Sequence, residues 1–363
     1  MIYLDYQATT PLAPEVFDAM APLLRDHFAN PHSAHRAGRA AAAQVEVARE
    51  EIARLLPSGG RLVFTSGATE ALNIAIQGAP AGDIVTIATE HAAVLDTVEA
   101  MRRQGRRVTI LPVDPDGIVD LDAARAAIRP GVALVAAMLV NNEIGVIQPT
   151  EILADLAHQA GALFLCDAVQ GYGRVAIPDA CDMVAISAHK IHGPKGIGAL
   201  WLRESVRPAP LLHGGGQEGG VRSGTLSPAL CAGFGVAARL MRDRAETDRL
   251  HVESLAALAQ TLFSGWALNG SATARYPGNL NLRREGIDGA QLLSYCRNIA
   301  FSLGSACASG SGRPSHVLRA LGLTERQARG SVRIGFGRYT TPDELERAAK
   351  ALNEAAAAQA APR

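Results

Sequence analysis

The sequence predicts an α/β fold, in which helices cover both faces of a mostly parallel sheet. From about residue 60, short β-branched and apolar runs alternate with helical patterns, which is typical of parallel strands joined by crossover helices. The predicted strands of this sheet are 62–65, 83–88, 107–113, 133–140, 163–166, 183–187 and 198–202. Ligands of such sheets bind beyond the carboxyl ends of the strands, so functional residues are expected there.

Helical patterns flank this strand region. Residues 36–56 are rich in alanine, arginine and glutamate, with an apolar spacing that predicts one long helix. The glycine-rich stretch 214–220 leads into an alanine-rich helix predicted at about 228–248. Beyond it, helical segments surround short strands, which predicts a second, smaller α+β domain. The alanine-rich tail, 355–363, is expected to fray.

Charge and apolar patterning exclude several function classes. Lysine plus arginine equal aspartate plus glutamate at 35 each, and no basic run contains interleaved aromatic residues. We therefore expect neither nucleic acid nor an anionic membrane as a partner. The first residues show no basic region followed by an apolar stretch, and no apolar segment is long enough to cross a bilayer. These patterns predict a soluble cytoplasmic protein.

The five cysteines show neither a CxxC pair nor a metal-ligand spacing with histidines. This argues against a metal site or a disulfide framework, and we expect reduced thiols. Four of them lie in apolar contexts where a thiol behaves as a small buried hydrophobe. They are Cys166, Cys181, Cys231 and Cys296.

Lys190 is the most informative single residue. Its segment, 187–196, follows the apolar run 182–186 and ends in glycine and proline, so Lys190 is expected at the exposed end of a buried strand. Apolar walls and neighbouring cations lower the pKa of a lysine there and make its amine a nucleophile toward an aldehyde cofactor. Pyridoxal phosphate is the candidate cofactor. For an isolated lysine the alternative, a solvated loop position, is more common.

Polar residues that follow other predicted strands favour the cofactor interpretation. The turn 66–70 feeds a helix N-terminus suited to a phosphate, and Thr69 adds a hydroxyl donor; the alternative is a structural cap. Asp167 follows another strand, where its carboxylate can pair with a protonated pyridine nitrogen, and Gln170 can then donate to the phenolic oxygen of the ring. The alternative for Asp167 is a helix N-cap.

Two more strand ends carry candidates. His91 can stack on a pyridine face and take part in proton transfer, although a purely structural histidine is more common there. The segment 141–145, which contains Asn141 and Asn142, places a side-chain amide where it can bind a cofactor oxygen. Because all these residues follow strand ends, one sheet is expected to bring them to the same edge.

Two residues near the C-terminal end complete the set of candidates. Cys307 lies in a small-residue segment, 302–312, that favours a mobile loop, and its thiolate is a potential nucleophile; the alternative is an inert exposed cysteine. Arg333 is the candidate clamp for an amino-acid carboxylate, because a guanidinium matches a carboxylate bidentately. Arg338 is the competing choice, and an ordinary surface arginine is the structural alternative.

Taken together, these residues resemble the cysteine desulfurases, pyridoxal-phosphate enzymes of fold type I in the class V aminotransferase group. The segment around Cys307 resembles the desulfurases that hand sulfur to iron–sulfur scaffold proteins. The matching motifs extend nearly from end to end, at residues 3–11, 30–33, 66–70, 89–91, 141–145, 167–170, 187–196, 222–225 and 304–307.

The resemblance implies a role for each candidate. Lys190 would hold the cofactor covalently, Asp167 would pair with the pyridine nitrogen, His91 would stack on the ring and Gln170 would contact its oxygen. The cysteine substrate would be held by Asn142 and Arg333. The phosphate contacts would be Ala68, Thr69, Ser187, His189 and, from a second subunit, Thr225. A homodimer follows from this last contact.

The resemblance also implies an activity, the conversion of L-cysteine to L-alanine with a persulfide formed on Cys307. The sulfur acceptor would be an iron–sulfur scaffold or another protein. The predicted domains are a large cofactor-binding domain, 12–245, and a small domain formed by 1–11 and 246–363. Alternatives are a selenocysteine lyase, another class V enzyme such as a transaminase, and a non-catalytic binding protein.

Two positions depart from the family pattern without removing a catalytic group. The family often has arginine where Gly219 stands, and serine is common where Gly335 stands.

Overall fold

The structure is a computed structural model that describes residues 1–303 and 315–360. Its α-helices are α1 (Pro14–Arg25), α2 (Arg36–Ala53), α3 (Ala68–Gln77), α4 (Ala92–Arg103), α5 (Leu121–Ala127), α6 (Thr150–Gln159), α7 (Pro228–Asp243), α8 (Ala245–Leu262), α9 (Gly289–Tyr295), α10 (His316–Ala320), α11 (Glu325–Arg329) and α12 (Pro342–Ala360). Its strands are β1 (Ile2–Tyr3), β2 (Gly60–Thr65), β3 (Asp83–Ile87), β4 (Val108–Leu111), β5 (Val132–Met138), β6 (Leu163–Asp167), β7 (Met183–Ser187), β8 (Gly198–Arg203), β9 (Ala267–Leu268), β10 (Asn279–Arg283), β11 (Ile299–Ala300) and β12 (Ser331–Gly335).

The main sheet has seven strands in the order β2-β8-β7-β6-β5-β3-β4, which confirms the predicted mostly parallel sheet. The strands from β7 through β6, β5 and β3 to β4 are parallel. Strand β8 is antiparallel to both of its neighbours, β7 and β2. Strands β2 and β7 therefore point the same way, and the carboxyl ends of β2, β3, β5, β6 and β7 share one edge of the sheet.

Alternation along the strands explains how both faces of this sheet are buried. Successive side chains of a strand point to opposite faces. In β6, Phe164 packs into a core shared with α1, α2 and α7, whereas Leu165 packs into a second core with α3 and α4. A strand that is buried on both faces carries apolar side chains at successive positions. This is why the predicted strands are continuous apolar runs.

A separate core lies outside the main sheet. It contains Leu4, Leu255 of α8, Leu282 of β10 and Leu345 of α12, all buried. Strands β9, β10 and β12 form an antiparallel sheet there, and β1 pairs with β11 in parallel. This is the predicted small α+β arrangement of helices around short strands. The exact boundaries at residues 11 and 245 stay a prediction.

Three local predictions need correction. The predicted helix at 228–248 is two helices, α7 and α8, and the helix predicted at 36–56 ends at Ala53. The fraying expected for 355–363 is wrong as far as Ala360, because α12 continues to that residue and Ala356 is fully buried. Alanine has the highest helix propensity, so an alanine-rich end continues a helix when one face packs.

Two further observations bear on the composition. Four cysteines are buried, as expected from their apolar contexts: Cys166, Cys181, Cys231 and Cys296. Within residues 1–303 and 315–360, no helix combines the length and apolarity needed to span a bilayer.

Candidate active site

A cleft of about 960 Å³ opens at the shared carboxyl edge of the sheet. It brings together nearly all of the predicted site residues. Those that line it are Ala68, Thr69, His91, Asn142, Asp167, Gln170, Ser187, His189, Lys190 and Arg333. Thr225 is exposed and lies outside this lining. Cys307 falls outside the described residues.

Lys190 ends a single 3-10 turn, Ala188–Lys190, that directly follows β7. Its Nζ donates hydrogen bonds to the backbone carbonyls of Gln7 at 2.5 Å and Ala8 at 2.9 Å. Burial, together with the positive charges of Arg333 and Arg174, lowers the pKa of the Lys190 amine to about 8. The alternative of an ordinary solvated lysine does not describe this environment.

Asp167 is the last residue of β6 and is buried beside the cleft. Its Oδ1 accepts a hydrogen bond from the Val169 N–H at 3.0 Å. The helix N-cap alternative is wrong, because turns rather than a helix follow this residue. Burial raises the pKa of Asp167, whereas the charges of His91 and Lys190 act in the opposite direction.

A second carboxyl group, that of Glu90, lies behind the cleft and is fully buried. Its Oε1 accepts a hydrogen bond from the Met138 N–H at 2.6 Å. Burial and the neighbouring Asp167 raise the pKa of Glu90 well above its usual range. Since two adjacent buried carboxyl groups do not both ionise readily, we assign the proton to Glu90, which leaves Asp167 free to carry the charge.

His91 precedes α4 and acts as its N-cap. Its Nδ1 accepts a hydrogen bond from the Ala93 N–H at 3.0 Å, so in the neutral ring the proton is assigned to Nε2. Burial lowers the pKa of His91, and the charges of Lys190 and His316 act in the same direction. The structural interpretation and the functional one are therefore compatible, because Nδ1 caps the helix while Nε2 has no hydrogen-bond partner among residues 1–303 and 315–360.

The first turn of α3 forms one end of the cleft. Its N-cap is Gly67, and no side chain in the described part of the protein caps it. Thr69 lies inside the helix, so the alternative of a threonine cap is wrong. Uncapped N–H groups at a helix N-terminus suit an anion. Nearby, burial and the charges of Lys190 and Lys195 lower the pKa of His189 to about 4, so this imidazole is neutral at neutral pH.

Gln7 is a site residue for which the sequence suggested no role. Its carbonyl oxygen accepts from Lys190 and also from the Gln170 amide at 2.9 Å, and its side chain donates to the Gly278 carbonyl at 2.9 Å. A Cβ placed on Gly335 would lie 1.5 Å from Gln7 Oε1. A side chain at position 335 would therefore collide with Gln7 where it lies in this structure, and glycine avoids the collision.

The competition between the two candidate arginines is decided by position, because Arg333 lines the cleft and Arg338 does not. Arg333 is 1% exposed, lines the cleft, and donates from Nη1 to the Asn142 carbonyl at 2.9 Å. Arg338 instead pairs with Asp248, with Nη2 and Oδ2 2.6 Å apart, and does not line the cleft. The alternative of a surface arginine is wrong for residue 333.

The sequence reasoning assigned no role to several other residues of the cleft. Among them are Ala8, Thr9, Lys195, Glu143, His316 and Arg319. His316 hydrogen-bonds through Nε2 to the Glu90 carbonyl at 2.8 Å, and Ser315 donates to the Glu143 carboxylate. These contacts join residues far apart in the chain, so only tertiary packing reveals them.

The residues of the cleft fit pyridoxal phosphate. An amine of lowered pKa suits the aldehyde, a buried carboxyl suits a protonated pyridine nitrogen, and an uncapped helix start suits the phosphate.

Comparison with known proteins identifies the family of the chain. The family model of the class-V aminotransferases matches residues 2–348. The chain belongs to this family. The cysteine desulfurase IscS of Rickettsia bellii is 44% identical over 368 residues, which cover 97% of this chain and 90% of that protein.

Solved structures of the family superpose closely. The NifS-like protein from Rickettsia africae has a TM-score of 0.90 at 30% identity, covering 98% of this chain and 99% of that one. SspA in complex with cysteine has a TM-score of 0.83 at 34% identity, covering 94% and 100%. The resemblance, the fold type I architecture and the dependence on pyridoxal phosphate, predicted from the sequence, are confirmed.

Proposed function

We propose that this chain is a pyridoxal-phosphate-dependent cysteine desulfurase, which converts L-cysteine to L-alanine and leaves the sulfur on Cys307 as a persulfide. The observation that carries this proposal is the cleft itself. One wall holds Lys190 with its lowered pKa, another holds Asp167, and the buried Arg333 lines the same space. The 44% identity to a protein named as a cysteine desulfurase supports the choice of reaction.

Each part of the cofactor would have a residue to hold it. Lys190 would bind its aldehyde carbon, Asp167 its ring nitrogen, and His91 and Gln170 its ring face and ring oxygen. When bound, pyridoxal phosphate supplies an electron-withdrawing ring that weakens the bonds at the substrate α-carbon. The phosphate would be bound by Ala68, Thr69, Ser187 and His189.

The chain's own groups would then orient the substrate and move its protons. Arg333 and Asn142 would bind the carboxylate, which fixes the orientation of the α-carbon. Lys190 would remove the α-proton, since an amine with a pKa of about 8 has a substantial neutral fraction near neutral pH. His91, whose Nδ1 is used by the helix cap, would donate a proton from Nε2.

Cys307 would take up the sulfur. Its thiolate would attack the substrate sulfur, so that a sulfur–sulfur bond forms while the carbon–sulfur bond breaks. The electron pair of the broken bond stays with the carbon, which is protonated and released as alanine. The exchange balances without an external oxidant or reductant. This role rests on the sequence, because Cys307 lies outside the described residues.

Assembly and sulfur delivery complete the proposal. Thr225 is exposed and does not line the cleft of its own chain, so it is accessible to a second copy, whose phosphate it would bind in a homodimer as the resemblance implies. An iron–sulfur scaffold or another acceptor protein would receive the persulfide. The cytoplasmic location predicted from the sequence stays a prediction, which cell fractionation would test.

The test is to incubate the native protein and Cys307→Ser with L-cysteine. We expect the native protein to form alanine and to gain the mass of one sulfur on the peptide that contains Cys307. Cys307→Ser should do neither, whereas Cys231→Ser, which removes a buried thiol, should behave like the native protein.

Three outcomes would contradict the proposal. Continued turnover by Cys307→Ser would indicate a transaminase. Activity on selenocysteine alone would indicate a selenocysteine lyase. A protein that stays colourless after pyridoxal phosphate is added would be a binding protein without the cofactor.

A further inference from the structure

The guanidinium of Arg333 is held by two acceptors that belong to the protein. Nη2 donates to Asp5 Oδ1 at 2.7 Å, and Nη1 donates to the Asn142 carbonyl at 2.9 Å. Nε is buried and has no hydrogen-bond partner among the residues that the structure describes. The two contacts restrict rotation of the planar group while leaving N–H donors for a further acceptor.

Asp5 is itself held in position by contacts of its backbone and its side chain. Its backbone forms a parallel bridge with Gly335, two residues beyond Arg333. Ser302 Oγ donates to the same Oδ1 at 2.8 Å, and the Tyr3 hydroxyl donates to the Asp5 carbonyl at 3.2 Å. The Asp5 side chain is 17% exposed and does not line the cleft. Asp5 therefore contacts the Arg333 guanidinium from outside the lining of the cleft and does not occupy the space that a substrate would enter.

We propose that Asp5 is a positioning residue for carboxylate recognition, which holds the Arg333 guanidinium so that its remaining N–H groups bind the carboxylate of the amino-acid substrate. This inference rests on the proposed function and assigns a determinant of its substrate class, amino acids with a free α-carboxylate. Burying the charge of an arginine without a counter-ion lowers the stability of the folded protein. The Asp5 carboxylate, as the counter-ion of Arg333, offsets part of this loss.

The proposal predicts a specific defect when Asp5 is replaced. The holoenzyme is titrated with L-alanine and with L-alaninamide, which lacks the carboxylate, while the absorption of the bound cofactor is followed. Native protein should prefer alanine. In Asp5→Ala the preference for alanine over alaninamide should fall about tenfold, as expected for the loss of one charge-assisted contact. The KM for cysteine should rise by about the same factor, with little change in kcat. Asp5→Asn, which keeps an acceptor oxygen without the charge, should lie in between.

Asp248→Ala is a matched control. It breaks the Arg338–Asp248 pair, whose side chains are 3% and 16% exposed, against 1% and 17% for Arg333 and Asp5. This control should lower the melting temperature without changing the preference for alanine. The proposal is overturned if Asp5→Ala weakens binding of both ligands equally, or if it only lowers the melting temperature as the control does. If Asp5→Ala does not fold, the same comparison of alanine and alaninamide binding is made with Asp5→Asn, and equal weakening of both ligands then overturns the proposal.

Failure of the proposed function gives a different result. In that case the native holoprotein shows no spectral response to alanine or to cysteine. If the native protein prefers alanine and Asp5→Ala keeps the full preference, only the role of Asp5 is refuted.

Discussion

The contacts of Lys190 explain why its amine can be neutral. Its Nζ donates to two backbone carbonyls, and a neutral amine still carries the two N–H groups that these bonds require. Burial and the charges of Arg333 and Arg174 disfavour the ammonium form, and the carboxylates of Asp5 and Asp167 only partly offset them. The balance favours a lysine that is reactive near neutral pH.

This balance predicts the pH dependence of cofactor attachment. Only the neutral amine reacts with the aldehyde, so the rate of reconstitution of the cofactor-free protein should fall as pH falls through about 8. An ordinary lysine would instead give a midpoint of roughly 10.4. Stopped-flow absorbance across a pH series measures this midpoint.

Arg174→Gln removes one of the charges that lower the pKa of Lys190, so its midpoint should move to higher pH. Arg203→Gln is the control, because Arg203 also lies over an aromatic ring but is not among the causes of that shift. The assignment fails if both variants keep the native midpoint.

The close fit of Gly335 and Gln7 predicts a compensating pair of substitutions. Gly335→Ala would place a Cβ 1.5 Å from Gln7 Oε1, and such overpacking should lower the free energy of unfolding by about 1–3 kcal/mol. Gln7→Ala removes the obstacle, so the double variant should be more stable than Gly335→Ala alone. Urea denaturation of the native protein and the three variants tests this, and strictly additive effects would contradict it.

At the scale of elements, two ion pairs connect the glycine-rich stretch 214–220 and its continuation to helices α2 and α3. Arg49 pairs with Glu218 at 2.9 Å, and Arg222 pairs with Glu70 at 2.7 Å. Glu218 also accepts from the Phe64 N–H of β2 at 2.6 Å. Gly219, the other departure from the family pattern, has φ +63°, a conformation that glycine adopts without steric cost.

Glu218→Gln should therefore destabilise the protein. It leaves the charge of Arg49, which is only 21% exposed, without its main partner. We expect the free energy of unfolding to fall by about 2–3 kcal/mol, measured by urea denaturation. Glu253→Gln is the control, because its pair with Arg249 is exposed at 45% and 52% and should contribute under about 1 kcal/mol. Equal effects of the two substitutions would contradict this assignment.

At the scale of the whole molecule, the first residues of the chain connect the separate core outside the main sheet with the cleft. Leu4 is buried in the core that includes Leu345 of α12, whereas Gln7 and Ala8 line the cleft at the edge of the main sheet. Asp5, between them, contacts Arg333 from β12. Residues from the two ends of the chain thus meet residues of the large sheet at one site.

The proposed homodimer predicts complementation between two defective variants. In a mixed dimer of Lys190→Ala and Thr225→Ala, one site combines Lys190 from one chain with Thr225 from the other and is intact. Mixing the unfolded variants and refolding them together should restore alanine formation, to at most half the native sites. If the mixture is no more active than the sum of its components, Thr225 does not act across subunits.

Much of the site could be predicted because its residues follow strand ends. Asp167 and Lys190 are positioned by the ends of the neighbouring strands β6 and β7. Parallel strands bring their carboxyl ends to the same edge of a sheet, so the closeness of these two positions follows from the strand order alone. Apolar runs of strand length were sufficient to locate these strands. The end of α12 was less predictable, because alanine-rich composition is compatible both with a frayed tail and with a packed helix.

The sequence by itself determined the α/β class, the family and the strand-end residues, because periodicity and motif spacing are local properties of the chain. Only the tertiary structure decided that Arg333 rather than Arg338 lines the cleft, that Asp5 supports it, and that Gly335 accommodates Gln7. These relations join residues hundreds of positions apart, and they depend on which side chains packing places in contact and shields from water.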